Sequence, residues 1–170
     1  LFLKTFTAGK PIRSATLYIG GLGFYEAYLN GEKIGDHVLD AAFTRYDRAC
    51  LYVTHDLTPR VEQGRNAIGV MLGNGWYNVH TKAAWKFNEA PWRGKPSLLA
   101  QLRLVYEDGS SELVVSDETW KATVGPVVLD ELKRPSQSAA SFLVLYCAVH
   151  FLHRVSTTGV WLPRQTTILG

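Results

Sequence analysis

The residues best suited to chemistry in the first part of the chain are Asp36, Asp40 and Asp47, which lie close together in sequence. Glycoside hydrolysis needs two carboxylates placed across a sugar, one of them with a raised pKa. Nothing in the surrounding sequence indicates a hydrophobic pocket that would hold any of them. We interpret the three as solvated loop acids. Calcium binding or hydrogen bonding to a sugar stays open for one of them, because carboxylates are hard oxygen ligands.

A second candidate is the 23-residue stretch from Asn74 to Pro96, which shows no hydrophobic period. A loop of this length is usually functional or disordered, and its many large rings argue against disorder. Trp and Tyr rings stack on the apolar faces of sugars while polar neighbours fix the hydroxyl groups. The stretch therefore predicts a sugar-binding platform, with core capping as the alternative. Its rings are Trp76, Tyr77, Trp85, Phe87 and Trp92.

The common catalytic motifs are missing: the sequence has no nucleophile elbow, P-loop, H-E-x-x-H motif or EF-hand loop. The glycines from Gly20 to Gly23 precede a strand pattern rather than a helix, so we interpret them as a bend or bulge. Cys147, His150 and His153 have a spacing that would place them on one helix face, as zinc ligands require. Their segment is apolar and offers no evident fourth ligand, which favours a buried cysteine with two incidental histidines.

Alternation of apolar and polar residues with period two dominates the first 125 residues and predicts strands. Asn30-Gly31 and Asp108-Gly109 follow such runs and predict hairpin turns. Leu57 to Gln63 predicts one helical turn, and Trp120 is predicted to be a core residue within a strand. With 15 glycines and an apolar fraction of 46%, the pattern indicates an all-β protein, an antiparallel sandwich or barrel.

The composition changes after Glu131. All 15 acidic residues lie at or before this position, whereas the remaining residues carry only basic charges. We therefore predict a domain over residues 1–131 and an atypical tail over 132–170, which we attribute to a shifted reading frame or a foreign junction. The nearly neutral body predicts no nucleic-acid binding, and no apolar run is long enough to predict a membrane span. A start at Leu1 suggests a piece of a longer protein and leaves its compartment open.

Several ordered blocks between about residues 5 and 125 resemble the N-terminal domain of bacterial α-L-rhamnosidases of glycoside hydrolase family 78. The most distinctive blocks are Gly21-Leu22-Gly23-Phe24-Tyr25-Glu26-Ala27-Tyr28-Leu29-Asn30-Gly31, Phe43-Thr44-Arg45-Tyr46-Asp47, and Leu72-Gly73-Asn74-Gly75-Trp76-Tyr77. The resemblance implies a β-sandwich of jelly-roll, galactose-binding-like type that accompanies an (α/α)₆ catalytic barrel. The family's closing strands find no counterpart in the tail, so we expect the sandwich to be incomplete at its C-terminal end.

The resemblance also implies a function. In some members this domain is a calcium-dependent carbohydrate-binding module for terminal L-rhamnose of plant or bacterial glycans, and the catalytic acids lie in the barrel. We therefore expect a non-catalytic accessory module, with a purely structural domain that packs against the barrel as the alternative. Calcium would be held by Asp47 and the carbonyl group of Pro96, although Arg48 beside Asp47 disfavours a cation. The expected sugar ligands are Tyr46, Asp47, Arg48, Asn74, Trp76, Tyr77, Trp85 and Trp92.

Overall fold

The computed structural model describes residues 1–80, 82 and 84–125. Within them the chain forms nine strands and one short 3₁₀ helix. In chain order these are β1 (Phe2–Ala8), β2 (Ile12–Leu22), β3 (Tyr25–Leu29), β4 (Glu32–Lys33), β5 (Val53–Asp56), β6 (Gly64–Leu72), the 3₁₀ helix (Ala84–Glu89), β7 (Ser97–Tyr106), β8 (Ser111–Val115) and β9 (Lys121–Ala122). The boundary at Glu131, the tail and the Cys147, His150 and His153 set lie outside the described residues.

The strands form two antiparallel sheets. One has the order β4-β3-β6-β1-β9 and the other the order β5-β2-β7-β8, so most neighbours within a sheet are distant in the chain. The polypeptide therefore crosses repeatedly between sheets, as in a jelly-roll sandwich. The predicted all-β fold is confirmed. No helix in the described part is long and apolar enough to span a membrane.

The two hairpin predictions are confirmed by the backbone. Asn30 and Gly31 have φ angles of 51° and 89° and join β3 to β4, whose residues Tyr28 and Lys33 pair. Gly109 has a φ of 82° between β7 and β8. Asn and Gly tolerate these left-handed conformations, which match the twist of the flanking strands. The predicted helical turn is also present, since the Val61 amide donates to the Leu57 carbonyl at 2.9 Å.

The core fills the space between the sheets with buried residues of six of the nine strands, β1, β2, β3, β6, β7 and β8. Leu17 and Ile19 of β2 are fully buried, as are Leu102 and Leu104 of β7 beside them. The other sheet contributes a matching set, which includes Phe6, Ala27, Leu29, Ile68 and Val70. Each large aliphatic side chain stabilises the fold by about 1.5–3 kcal/mol through removal of apolar surface from water.

The end of the described chain differs from the strand expected there. Trp120 packs against the core and its Nε1 donates to the Val115 carbonyl at 2.8 Å, but it precedes β9. The strand β9 contains only Lys121 and Ala122, and Val124 is 92% exposed. The prediction that Trp120 packs against the core is therefore confirmed, whereas the prediction that it lies within a strand is wrong.

The described residues include one fully buried polar side chain, that of Asn66. Its Oδ1 accepts from the Asn30 amide group and from the Glu62 backbone amide, both at 3.0 Å. Its Nδ2 donates to the carbonyls of Glu62 at 2.7 Å and Gly64 at 3.1 Å. These bonds tie the turn before β6 to the β3–β4 hairpin. They lie at the opposite end of β6 from residues 74–96, which we call the aromatic loop.

Candidate functional site

The turn that carries Asn74 to Tyr77 is positioned by a close crossing of two backbones. The Gly73 amide donates to the Phe24 carbonyl at 2.8 Å. An added Cβ at Gly23, whose φ is +127°, would lie 2.2 Å from the Gly73 carbonyl oxygen. At Gly75, whose φ is +52°, it would lie 2.8 Å from the Phe24 nitrogen. Only glycine at both positions allows this approach.

The crossing brings rings from two loops into one aromatic cluster at an end of the sandwich. The β4–β5 loop contributes two of the rings, and the β6–β7 segment contributes four. The cluster consists of Phe43, Tyr46, Trp76, Tyr77, Phe87 and Trp92.

The geometry within the cluster is mostly edge to face. Tyr77 and Trp92 stack with centroids 6.2 Å apart and planes at 19°. The Tyr46 ring meets both of them at 5.2 Å, at steep angles. Trp76 contacts Phe87 edge-on at 5.5 Å, and Phe43 lies 5.2 Å from Phe87. Offset and edge-to-face pairs of this kind add about 0.5–1.5 kcal/mol each beyond burial, so the cluster stiffens two otherwise irregular loops.

Two polar atoms at the cluster are buried without a hydrogen-bond partner among the described residues. They are the hydroxyl oxygen of Tyr46 and Nε of Arg93. Burial raises the pKa of Tyr46, with a further contribution from the nearby Cys50 thiol, so the hydroxyl stays protonated. Buried polar atoms usually have partners, and an exception is commonly explained by an unobserved water or ligand. The rest of the Arg93 guanidinium is engaged, because its Nη2 lies 2.7 Å from Nδ1 of His80.

Asp47 follows Tyr46 directly and lies exposed at the edge of the cluster. The Arg45 guanidinium donates to both carboxylate oxygens of Asp47, with Nε 2.9 Å from Oδ1 and Nη2 2.5 Å from Oδ2. These hydrogen bonds hold the pKa of Asp47 below its usual value. The carboxylate is therefore ionised, and the pair presents donors and acceptors side by side to solvent.

This arrangement does not by itself form a calcium site. Calcium takes six to eight oxygen ligands at about 2.3–2.6 Å, and Arg45 already engages both Asp47 oxygens. No group of three or more His, Cys, Asp or Glu side chains in the described ranges is arranged to hold a metal. Pro96, whose carbonyl was the second expected ligand, is half-buried just before β7.

The remaining residues expected at the site take different positions. Asn74 is half-buried, and its Oδ1 accepts from the Asn78 amide group at 2.7 Å. Arg48 is exposed, and its backbone amide donates to the Arg45 carbonyl. Trp85 lies in the 3₁₀ helix, and its side chain falls outside the described part. Asp40 is half-buried, its carboxylate lies 3.1 Å from Nδ1 of His37, and its backbone carbonyl accepts from the Tyr25 amide at 2.8 Å.

Sequence reasoning missed two contributors: Phe43 as a ring partner, and Arg45 as the residue that holds Asp47. Phe43 and Arg45 stand in the same Phe43–Asp47 block that carries the family resemblance, so a signal was present. The contacts of the Phe43 ring with Trp76, Phe87 and Trp92 could not be predicted, since they join segments far apart in the chain.

Comparison with known proteins identifies the family. Residues 10–133 match the α-L-rhamnosidase N-terminal domain family. A curated α-L-rhamnosidase of Formosa agariphila is 42% identical over 135 residues, which cover 77% of this chain and 14% of the relative. The chain thus spans about a seventh of the length of that relative.

Solved structures agree with this assignment. The α-L-rhamnosidase of Dictyoglumus thermophilum is 44% identical with a TM-score of 0.68, over 77% of this chain and 14% of that one. The Streptomyces avermitilis α-L-rhamnosidase, solved in complex with L-rhamnose, is 36% identical with a TM-score of 0.69, over 77% and 12%. In sequence and in fold, this chain belongs to the α-L-rhamnosidase N-terminal domain family.

Proposed function

We propose that the chain is a non-catalytic carbohydrate-binding module that holds terminal L-rhamnose of plant or bacterial glycans at the aromatic cluster. The observation that carries this proposal is the convergence of Tyr46 and Asp47 with Tyr77 and Trp92. The Tyr46 ring lies 5.2 Å from both other rings, and the exposed Asp47 carboxylate is its immediate neighbour. Ring surface and fixed polar groups therefore meet in one place, as saccharide recognition requires.

The chemistry of the sugar fits this combination. In L-rhamnose C6 is a methyl group in place of a hydroxymethyl group, which adds to the apolar C–H surface that can pack on the half-exposed rings of Trp76 or Trp92. Its vicinal hydroxyls can donate to Asp47 and accept from the Arg45 guanidinium, which Asp47 holds in a fixed orientation. Charge-assisted hydrogen bonds of this kind are about twice as strong as neutral ones. The rhamnose complex of the Streptomyces avermitilis relative supports the choice of sugar.

A structural domain that packs against a catalytic barrel is the second candidate. The mutual packing of the rings favours it, because Trp92 contacts Phe43, Tyr46, Tyr77 and Phe87 and so offers limited free surface. In both cases we propose that this chain does not hydrolyse glycosides. The matched region covers only 12–14% of the curated relatives, and their activity belongs to much longer polypeptides.

Calorimetric titration of the full chain with L-rhamnose tests the proposal, first with calcium and then with chelator. We expect binding that the enantiomer D-rhamnose does not reproduce. Asp47→Ala should weaken the affinity at least about tenfold, the loss typical of a charge-assisted contact. Asp36→Ala, which removes another exposed acid from the same β4–β5 loop, is the matched control and should bind as the original chain does.

The outcomes separate the candidates. Absence of heat from a chain that unfolds cooperatively in urea would favour the structural domain. Binding that survives chelator would place recognition on rings and hydrogen bonds alone. Loss of binding with chelator would mean that calcium displaces Arg45 from Asp47. Release of nitrophenol from nitrophenyl α-L-rhamnoside by the purified chain would contradict the non-catalytic assignment.

A further inference from the structure

The outer face of the four-stranded sheet carries side chains that the sandwich core does not use. Along β2 and β7 the outward residues form rows that run across the strands. Tyr18 pairs with Thr54 of β5 on one side and Gln101 of β7 on the other. In the next row Thr16 lies between Asp56 and Arg103. The side chains of β5 on one side of β2 and those of β7 on the other therefore differ in chemistry but lie at the same positions along β2.

Large apolar groups lie at one end of this face. Leu99 is 75% exposed and Tyr52 is 66% exposed. Between them lies Gly20, where an added Cβ would approach the Tyr52 Cβ to 3.5 Å. The absence of a side chain at Gly20 contributes to an open depression of about 430 Å³, lined by Tyr18, Tyr52, Leu99, Gln101, Arg103 and Val115 among others. Soluble monomers rarely leave such apolar groups grouped together.

The charges of the face are arranged in a complementary way. Arg103 on β7 forms no ion pair within the described part of the chain. Asp56 on β5 uses Oδ1 to accept from the Thr58 amide and hydroxyl, at 2.9 and 2.5 Å. Asp56 is exposed, and its Oδ2 forms no hydrogen bond or ion pair within the described residues. The two residues lie on opposite sides of β2, about two strand spacings or roughly 9.6 Å apart, too far for direct contact.

We propose that this face is a self-complementary interface that binds a second copy of the same chain. In this dimer the outer faces of the two four-stranded sheets pack against each other. The two-fold axis lies between the faces and runs parallel to β2, so that β5 of one copy lies opposite β7 of the other. Asp56 then meets Arg103 of the second copy, and Thr54 meets its Gln101. Tyr52 meets Leu99 of the second copy over the gap at Gly20. Each contact occurs twice, as an isologous interface requires.

A second copy fits this face better than a saccharide does. Leu99, Leu113 and Val115 stand outward as aliphatic groups, and aliphatic surface with Tyr and Arg at its centre is typical of protein interfaces. The four strands have 11, 4, 10 and 5 residues, which at about 3.3 Å per residue and about 4.8 Å between strands give about 475 Å² per copy. The total of about 950 Å² is below the usual size of a stable interface, so the dimer should be weak and reversible.

Sedimentation of the full chain over a range of micromolar concentrations tests the proposal. The original chain should show a reversible monomer–dimer equilibrium. Arg103→Glu places a carboxylate against Asp56 of the second copy and should raise the dimer Kd at least about tenfold. Asp56→Asn keeps the Oδ1 acceptor that caps Thr58, removes the charge, and alone should weaken the dimer a few-fold.

The decisive variant combines both substitutions. If positions 56 and 103 face each other across the interface, Asp56→Asn weakens the original dimer but strengthens the Arg103→Glu dimer, because it removes the new repulsion. Val124→Asp, at an exposed valine outside this face, should leave the Kd unchanged. A chain that stays monomeric, a dimer indifferent to Arg103→Glu, or weakening by Asp56→Asn in both backgrounds overturns the proposal. Dissociation by Val124→Asp would do the same.

Discussion

Replacement of Gly23 by alanine tests whether the backbone crossing positions the aromatic loop. The new Cβ would lie 2.2 Å from the Gly73 carbonyl oxygen, against a closest tolerable approach of 3.0 Å. The two backbones must therefore separate by at least about 0.8 Å, the difference between these distances. That movement breaks the 2.8 Å hydrogen bond from Gly73 to Phe24. The left-handed φ of +127° adds strain for any residue with a side chain.

The expected cost follows from these two contributions. Backbone strain amounts to about 1–3 kcal/mol and the lost hydrogen bond to about 1 kcal/mol. Gly23→Ala should thus lower the free energy of unfolding by about 2–4 kcal/mol. That is a large share of the roughly 5–15 kcal/mol that a domain of this size has. Tryptophan fluorescence should change as well, since Trp76 follows the displaced turn.

Two other glycines provide matched controls for urea unfolding of the full chain. Gly64 has a φ of +101° with nothing within 4 Å of an added Cβ, so Gly64→Ala incurs the strain without the clash. Gly9 also has open space, and its φ is outside the left-handed range, so Gly9→Ala should change stability by less than about 1 kcal/mol. If Gly23→Ala costs no more than Gly64→Ala, the close approach does not hold the loop and the reasoning is refuted.

Two further predictions concern polar side chains, the fully buried Asn66 and the half-buried His55. Asn66→Ala removes four hydrogen bonds and should lower the free energy of unfolding in urea by about 3–5 kcal/mol. As the control, Gln63→Ala on the same turn should change it by under about 0.5 kcal/mol. A loss below about 1 kcal/mol for Asn66→Ala would mean that water replaces those bonds. Burial lowers the pKa of His55 below 6.5 in the folded state. As the pH falls, the unfolded state therefore binds the proton first. The contribution of His55 to the free energy of unfolding is fully present above about pH 6.5 and is lost below it. Between pH 7.5 and pH 5 the Tm of His55→Gln should fall by less than the Tm of the original chain. An equal fall in Tm for both would contradict the role of His55.

Much of the fold could be predicted because its signals are local. The alternation in β2 and β7 follows from the pleat, which sends successive side chains to opposite faces. The φ preferences of Asn30-Gly31 and of Gly109 specify their turns without any tertiary contact. β1 was not predicted, because the apolar run Leu1-Phe2-Leu3 hides its alternation. β9 is shorter than its pattern, since only Lys121 and Ala122 pair with β1.

The site was only partly predictable. Its residue types were recognised, and Tyr46, Trp76, Tyr77 and Trp92 do lie in one cluster. The partners of these residues were not recognised, because a ring contact or an ion pair leaves no periodic trace in the sequence. Arg45 illustrates the difference, since spacing alone does not show that an arginine two positions before Asp47 turns back to bind it.

The sequence by itself determined the all-β class, the hairpins and the family of this chain, since each depends on residues adjacent in sequence or on ordered blocks. Only the tertiary structure decided which rings meet, what holds the Asp47 carboxylate, and that Asp56 and Arg103 flank the same strand. These relations depend on how antiparallel sheets bring distant segments side by side. The physical reason is that the pleat and turn conformations act over a few residues, whereas packing selects partners by position in space.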